Sequence, residues 1–273
     1  MGLALLFIIW LITLASTYFF YAHPAWNPGM PGLASAEGAA IDAQFQLSYI
    51  AMGVVFLASQ LGLGLFVWKY RDRSGAPNAT YSHGHTGLEV VWTTLTAILF
   101  VGLNLMGYTV WAETKMHGAG PNAVQVEVTG VQFNWYFRYP GPDGKFGRLK
   151  PELIDASQGQ EAAVGLDPTD PNGKDDIVTG TLMLPVDREV GITLRAQDVI
   201  HDFFVREMRI KQDAVPGLMI PLHYTPNKLG TYEAACAELC GLGHYKMRAD
   251  VKVVTQKEFD DWMAAQEKAK LEQ

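Results

Sequence analysis

The chain has 273 residues, of which 49% are hydrophobic and 18% charged, and its formal net charge is −7. This length allows roughly two domains, and the low charged fraction indicates that part of the chain lies in lipid. The net negative charge gives no reason to expect a nucleic-acid partner.

Three long apolar stretches occupy the first 112 residues of the chain. Residues 2–22, 45–68 and 90–112 contain no Asp, Glu, Lys or Arg. A helix needs about 20 apolar residues to cross the hydrocarbon core of a bilayer. The sequence therefore predicts a membrane region over 1–115, with transmembrane helices near 2–22, 45–68 and 88–112.

The first stretch has an alternative interpretation as a secretory signal. It lacks a basic start and exceeds the usual apolar signal core of about 7–15 residues. Small residues follow at Ala34, Ser35 and Ala36, so later cleavage stays an alternative. The pattern favours a retained helix.

Basic residues on one side of the second helix set the orientation. The segment after it carries Lys69, Arg71 and Arg73, whereas residues 23–45 carry no Lys or Arg. Basic loops stay in the cytoplasm. Everything after about residue 113 is therefore expected outside the cytoplasm.

The exterior part, 118–255, is expected to be all β. Residues 124–129 alternate apolar and polar side chains, as a half-buried strand does, and an aromatic run follows over 133–139. Short apolar runs separated by Gly and Pro indicate a β-sandwich or barrel rather than a helical domain. Further strands are predicted at 181–185, 190–196, 203–210, 219–224 and 249–254.

Two segments depart from this strand pattern. Residues 141–180 begin with the turn sequence Gly-Pro-Asp-Gly, and the Asp-, Pro- and Gly-rich part over 151–176 has no periodicity. We interpret 141–180 as a surface insertion. The tail over 256–273 has helical spacing of apolar residues and predicts one short amphipathic helix.

The only two cysteines, Cys236 and Cys240, lie in a run that also contains His244 and Met247. Thiolate, imidazole and thioether are ligands that suit copper, whereas zinc is held by Cys, His and carboxylate groups. A disulfide is the alternative for an even cysteine count outside the cytosol, but it leaves the other two side chains unexplained. The run therefore favours a copper site.

The donors of this run suit two copper ions better than one. A mononuclear blue copper site uses one Cys, two His and a weak Met, so a second thiolate is in excess. Two copper ions bridged by the thiolates each need an imidazole. Four of the seven histidines lie beside the apolar stretches, which leaves His201 and His223 as the second imidazole. Spacing alone does not separate them.

The run Cys-x-Glu-x-Cys-x-x-x-His-x-x-Met over 236–247, with the upstream Gln-Asp-Val-Ile-His over 197–201, resembles subunit II of the haem–copper cytochrome c oxidases. The resemblance covers about residues 45–262. It implies a cupredoxin-like Greek-key barrel or sandwich that holds the dinuclear copper centre CuA. The implied ligands, in chain order, are His201, Cys236, the backbone carbonyl of Glu238, Cys240, His244 and Met247.

The resemblance also divides these ligands between the two copper ions. Cys236 and Cys240 bridge both ions, and His201 with Met247 completes one of them. His244 and the Glu238 carbonyl complete the other. The family further implies that the Glu238 side chain reaches a magnesium or manganese ion at the border with subunit I, and that His223 is not a ligand.

Two weaker matches suggest roles for single residues. The aromatic run resembles the family block in which a tryptophan receives the electron from cytochrome c, and Trp135 falls at that position; core packing is the alternative explanation. Glu89 resembles the family glutamate at the entrance of a proton channel in subunit I. A carboxylate in the first turn of a helix is also favoured by the helix dipole alone.

The resemblance implies a subunit of a terminal oxidase in a bacterial inner membrane, with the copper domain on the periplasmic face. Electrons would come from cytochrome c, soluble or membrane-bound, and pass to the haem of subunit I, where oxygen is reduced to water with proton pumping. Subunit III and the bilayer are further expected partners. Residues 118–273 carry 23 Asp and Glu against 17 Lys and Arg, and such an acidic surface attracts a basic redox protein.

Three other classes of protein use related features. Nitrous oxide reductase needs a His-rich catalytic domain that seven histidines do not supply. Quinol oxidase subunits lack the copper ligands, and a copper carrier can manage with a simple Cys pair. The exterior part also shows no hydrolytic triad, phosphate loop or open zinc site, and the absence of Cys-x-x-Cys-His argues against a fused cytochrome c.

Overall fold

The computed structural model describes residues 1–22, 32–73, 75 and 81–272. These residues divide into two compact units: a helical unit that includes residues 1–22 and Asp42–Val110, and a β unit that includes residues 32–41 and the chain from Trp111 onward. The α-helices are α1 (Gly2–Ala22), α2 (Gly38–Lys69), α3 (Thr86–Lys115), α4 (Gln160–Ala163) and α5 (Gln256–Leu271). The strands are β1 (Val124–Val131), β2 (Asn134–Tyr139), β3 (Ile177–Thr179), β4 (Leu182–Pro185), β5 (Val190–Ala196), β6 (His201–Val205), β7 (Ile210–Ala214), β8 (Ile220–Tyr224), β9 (Gly230–Cys236) and β10 (Arg248–Val254).

The first three helices are each long and apolar enough to cross a membrane. This confirms the predicted number of apolar N-terminal helices. In the structure α2 begins at Gly38 and α3 ends at Lys115, so both extend past the uncharged stretches. The reason is that backbone hydrogen bonding continues into polar turns outside the hydrocarbon core, where side-chain hydropathy no longer marks the helix.

Helix α1 packs on α2 through two contacts, each made by an aromatic side chain of α1 beside a glycine of α2. The Trp10 indole N–H donates to the Leu61 carbonyl at 3.1 Å, and the Tyr21 hydroxyl donates to the Tyr49 carbonyl at 2.5 Å. Beside these contacts, a Cβ on Gly64 would lie 2.7 Å from the Trp10 ring nitrogen, and one on Gly53 would lie 2.5 Å from the Tyr21 oxygen. Small residues let membrane helices approach closely, and polar side chains then bond across the interface.

The β unit is built from two five-stranded sheets. One has the strand order β3-β2-β1-β5-β8 and the other β4-β10-β9-β6-β7. Most neighbours are antiparallel, but β1 pairs with β5 and β4 with β10 in parallel. The mixed pairing and the crossovers between non-consecutive strands agree with the expected cupredoxin-like sandwich, and the fold class is confirmed.

Apolar side chains from both sheets form a single core between them. Alternate residues of β1 and β5 point inward, as a strand with one buried face requires. Burying each such side chain stabilises the fold by about 1.5–3 kcal/mol. The core includes Val126, Val128, Phe137, Ile192 and Leu194 from the first sheet, and Leu182, Leu184, Phe203, Val205, Val251 and Val253 from the second.

The strand predicted over 203–210 is wrong as a single element. β6 ends at Val205, a 3-10 turn covers Arg206–Met208, and β7 starts at Ile210. Arg209 has φ +57°, in the left-handed region, so the chain reverses there and the two strands pair with each other. β3 and β9 were not predicted, because β3 has only three residues and β9 has a mixed sequence.

The acidic insertion is folded against the β unit rather than being a plain surface loop. It contains α4 and the 3-10 turns Pro151–Leu153, Ala156–Gln158 and Pro171–Gly173, and Asp167 is buried within it. Arg138 of β2 is also buried and forms ion pairs with Glu127 and with Asp176 at the end of the insertion. A buried charge is costly unless it is paired, so this ion pair fixes where the insertion joins the sheet.

Helix α5 packs on β2, next to the start of the insertion. Thr255 caps it, with its side chain bonded to the Glu258 N–H and the Glu258 side chain bonded back, a reciprocal capping box. The rings of Phe259 and Trp262 pack on Tyr139 of β2. The predicted C-terminal helix is thus confirmed as part of the fold class.

Candidate metal centre

The candidate donors lie where two strands of the second sheet end. β9 ends at Cys236 and β10 begins at Arg248, so the connecting segment carries Cys240, His244 and Met247. His201 is the first residue of β6, which pairs with β9. Strand pairing therefore brings a histidine that is distant in sequence next to the cysteine loop.

The sulfur atoms lie near the centre of this group. The Sγ atoms of Cys236 and Cys240 are 3.9 Å apart, far longer than a disulfide bond of about 2.05 Å, and both cysteines are free and buried. The Cys236 sulfur is 3.9 Å from His201 Nδ1 and 3.1 Å from the Glu238 carbonyl oxygen.

The second sulfur has its own pair of neighbours. The Cys240 sulfur is 3.6 Å from His244 Nδ1 and 3.6 Å from the Met247 sulfur. His201, Cys236 and Cys240 form a group whose donor atoms all lie within 4.8 Å of one another, which could hold a metal ion. All six donors named from the sequence thus surround one small volume, with Nδ1 turned inward on both imidazoles.

The Cys240 thiol favours the protonated form until a metal binds. Burial raises the pKa of the Cys240 thiol to about 11, and the neighbouring Cys236 adds to the rise. A metal ion bound by the thiolate must displace this proton, so metal binding weakens at low pH. Two thiolates, two imidazoles, a thioether and a carbonyl suit copper, and the residues present fit a copper centre.

Asp198 holds the His201 ring in place. The His201 Nε2 atom is 2.8 Å from one Asp198 carboxylate oxygen, which fixes the tautomer that leaves Nδ1 free as a ligand. Burial raises the Asp198 pKa, but hydrogen bonds from the Gln132 N–H, His201 and the Val199 N–H outweigh it and lower the pKa overall. Asp198 therefore stays a carboxylate beside the site.

Trp135 lies behind the site and not on the surface. Only 2% of it is exposed, and its ring contacts His201, with centroids 5.9 Å apart. Phe133, two residues earlier, is partly exposed and packs against the cysteine loop: a Cβ on Gly243 would lie 2.4 Å from its ring. That Trp135 receives the electron therefore stays a prediction.

Three predicted or considered residues lie apart from the donor atoms. The Glu238 side chain is exposed, while its carbonyl faces the Cys236 sulfur. Glu89 lies in the first turn of α3, in the other unit. His223 is on β8, the edge strand of the first sheet, so the structure brings His201 to the cysteines and not His223.

Sequence reasoning missed two residues next to the site. Asp198 holds His201, and the side chain of Gln132 donates a hydrogen bond to the Cys240 carbonyl. Asp198 could have been found, because an acidic residue three positions before a candidate ligand histidine is a common partner for its second nitrogen. Nothing in the sequence indicated Gln132, since its contact depends on how β1 and β2 are joined.

Comparisons with known proteins return the same family in each case. Residues 124–254 match the family described as cytochrome c oxidase subunit II, periplasmic domain. The chain is 33% identical over 266 residues to the alternative cytochrome c oxidase subunit 2 of Bradyrhizobium diazoefficiens, covering 97% of this chain and 92% of that protein. It is 30% identical over 255 residues to cytochrome c oxidase subunit 2 of Thermostichus vulcanus, covering 85% and 77%.

One solved structure is similar to part of this chain. It is the periplasmic domain of subunit II of cytochrome oxidase from Bradyrhizobium japonicum, with 26% identity and a TM-score of 0.40. The match covers 55% of this chain and 97% of that one.

Proposed function

The chain belongs to the family of subunit II of the haem–copper cytochrome c oxidases, and from this membership we propose that it carries the dinuclear copper centre CuA. In this role it accepts electrons from cytochrome c and passes them to the haem of subunit I, where oxygen is reduced to water with proton pumping. One observation carries the proposal: the donor atoms of His201, Cys236 and Cys240 lie within 4.8 Å of one another in a buried site.

The proposed division of ligands between the two copper ions follows the family resemblance. In the structure the Cys236 sulfur lies beside His201 and the Glu238 carbonyl, and the Cys240 sulfur lies beside His244 and Met247. Cys236 and Cys240 would bridge the copper ions, His201 and Met247 would complete one ion, and His244 with the Glu238 carbonyl would complete the other. When bound, the copper pair supplies a centre that takes up and releases one electron. Soft thiolate ligands suit copper in such a site.

The protein's own part is to hold these donors and exclude water. Met247, Cys240 and His201 are each at most 2% exposed, so water cannot compete for the site from their side. His201 is held by Asp198 at 2.8 Å, and the loop is anchored by the Cys236 N–H bond to the Met247 carbonyl at 3.0 Å. A rigid site needs little rearrangement when its charge changes, which favours fast electron transfer.

Two side chains are proposed to work at the edges of the centre. The Glu238 side chain points outward, where it could bind magnesium or manganese at the border with subunit I. By the family resemblance, Trp135 is the residue that receives the electron from cytochrome c. Its burial means that it would act behind the surface, between the docked donor and His201, with the partly exposed Phe133 at the surface itself.

The membrane unit would serve attachment and proton uptake. Three helices long and apolar enough to span a bilayer support a multi-pass subunit, and basic residues after α2 support a cytoplasmic end there. We propose the bacterial inner membrane, with the copper domain on the periplasmic face and subunits I and III as neighbours. Glu89, in the first turn of α3, would then lie at the cytoplasmic rim as a candidate proton-channel entrance.

Copper loading of the purified chain tests the proposal. We expect two copper ions per chain and, in the half-reduced protein, a purple colour with an electron paramagnetic resonance spectrum of one electron shared between two copper nuclei. A single labile Cu(I) with no mixed-valence spectrum would instead support a copper carrier. Binding of zinc in preference to copper would also overturn the proposal.

A further inference from the structure

The turn that joins β1 to β2 contacts both halves of the candidate metal centre. The Gln132 backbone N–H donates to an Asp198 carboxylate oxygen at 2.8 Å. The side-chain amide of the same residue donates to the Cys240 carbonyl. One residue of this turn thus bonds both Asp198, the partner of His201, and Cys240, which is itself a candidate ligand.

Asp198 passes the first contact on to a candidate ligand. Its other carboxylate oxygen bonds the His201 ring at 2.8 Å and the Val199 N–H at 2.8 Å. Gln132 therefore reaches His201 through a single carboxylate. On the other side it reaches the Cys240 thiol through that residue's own backbone.

The neighbouring ring supports the same loop. Phe133 packs on Gly243, where a Cβ would lie 2.4 Å from the ring, so only glycine leaves room for this contact. The turn thus contacts the cysteine loop through a hydrogen bond at Cys240 and an apolar contact at Gly243. The loop's own regular structure is a short 3-10 turn, His244–Lys246, so these two contacts add to the few that fix its position.

We propose that Gln132 is a positioning residue that fixes the distance between His201 and Cys240. Its backbone sets the histidine through Asp198, and its side chain sets the cysteine through the Cys240 carbonyl. The inference rests on the proposed copper centre for its electronic effect, but not for its effect on the loop. Without the side-chain contact, the loop keeps its ligands and loses its fixed spacing to His201.

The substitution Gln132→Met tests this role. Methionine has a similar length and no N–H donor, and it leaves the backbone bond to Asp198 intact. In the metal-free chain we expect amide hydrogen exchange over 237–246 to speed up about fivefold, as expected from losing one hydrogen bond of ordinary strength. In the copper-loaded chain we expect altered copper hyperfine splitting and a shifted reduction potential.

Gln125→Met is the matched control. Gln125 lies on β1, and its side-chain amide likewise donates to a backbone carbonyl, that of Ala123, at 3.3 Å. This contact is remote from the cysteine loop, so we expect wild-type exchange and wild-type spectra. Gln132→Asn, whose amide is too short to reach the carbonyl, should behave like Gln132→Met.

The outcomes separate this inference from the proposed function. If the wild-type chain gives no mixed-valence spectrum, the copper proposal fails, and the exchange measurement still decides the role of Gln132. If Gln132→Met and Gln125→Met show the same exchange over 237–246 and the same spectra as wild type, Gln132 is an ordinary surface residue and the inference is overturned.

Discussion

The choice of histidine is decided by the position of one side chain. His201 is fully buried and its Nδ1 lies 3.9 Å from the Cys236 sulfur, whereas His223 is on the far edge of the other sheet. We expect His201→Asn to abolish the two-copper spectrum and His223→Asn to leave it unchanged. Copper content and electron paramagnetic resonance of both variants give the answer; the reverse pattern would remove His201 from the ligand set.

Asp198 adds a negative charge next to the same ring. The substitution Asp198→Asn keeps an acceptor for the Gln132 N–H and removes that charge, so it destabilises the oxidised centre relative to the reduced one. We expect the reduction potential to rise by about 30–60 mV, since about 59 mV corresponds to a tenfold change for one electron. A redox titration measures the potential. The control is Asp250→Asn, which removes the charge of an exposed carboxylate on β10. A lower potential would contradict the argument.

The two aromatic residues of the β1–β2 region differ in exposure, so their substitutions should have different kinetic effects. Phe133→Ala removes a partly exposed ring and should mainly weaken docking of cytochrome c, seen as a raised KM. Trp135→Phe alters a buried ring in contact with His201 and should mainly lower the rate of electron transfer, seen as a lowered kcat. Stopped-flow reduction of the oxidase at several cytochrome concentrations separates the two; an unchanged rate in Trp135→Phe would leave that residue a core residue.

At the scale of elements, the pairing of α1 with α2 depends on space at two glycines. Trp10 contacts α2 beside Gly64, and Tyr21 contacts it beside Gly53. The two contacts are about three helical turns apart along the helices. We expect Gly53→Leu to push the helices apart and to lower stability by about 1–3 kcal/mol, the usual cost of overpacking. Thermal inactivation of the purified protein measures it.

A glycine elsewhere on α2 provides the control for that substitution. A Cβ on Gly62 would meet no atom within 4 Å, so Gly62→Leu should leave the inactivation temperature unchanged. Equal losses in both variants would mean that leucine disturbs α2 by itself, and that the contact with Tyr21 contributes nothing.

Asp167 is one of the buried carboxylates of the insertion, and its contacts predict how the insertion responds to pH. Lys150 and Thr169 bond Asp167 and hold its pKa well below the usual range. A carboxyl with a depressed folded-state pKa contributes stability above its unfolded pKa of about 3.9, and this contribution is lost as the pH falls further. We expect proteolysis within 141–176 to accelerate as the pH falls below about 4. In Asp167→Asn the insertion should already be cleaved readily at neutral pH, so its cleavage should depend much less on pH.

At the scale of the whole molecule, charge distribution predicts how the electron donor approaches. Residues 118–273 carry 23 acidic against 17 basic side chains, and such a surface attracts a basic partner over distances that salt screens. We expect the bimolecular rate of reduction by a basic cytochrome c to fall steadily as ionic strength rises from about 0.01 to 0.15 M, where the Debye length shortens from about 30 to 8 Å. A flat or rising profile would show that the acidity serves solubility alone.

The sequence was sufficient for features that depend on local composition. Uncharged stretches of about 20 residues indicate membrane helices because lipid excludes charge whatever the tertiary structure. Cys236, Cys240, His244 and Met247 could be named as a metal site because all four donors lie within twelve residues. Strand boundaries around Arg209 could not be predicted, since that reversal depends on pairing between β6 and β7 and not on an apolar pattern.

What the sequence determined by itself is therefore the class of the protein and the chemistry of one loop: three apolar helices, a β domain and a soft-ligand motif. Only the tertiary structure decided which histidine lies beside the cysteines, that Trp135 is buried, and that Gln132 and Asp198 contact the two sides of the site. The physical reason is that these contacts join residues far apart in the chain. Strand order and sheet packing bring them together, and neither is encoded in the spacing of residues along a single segment.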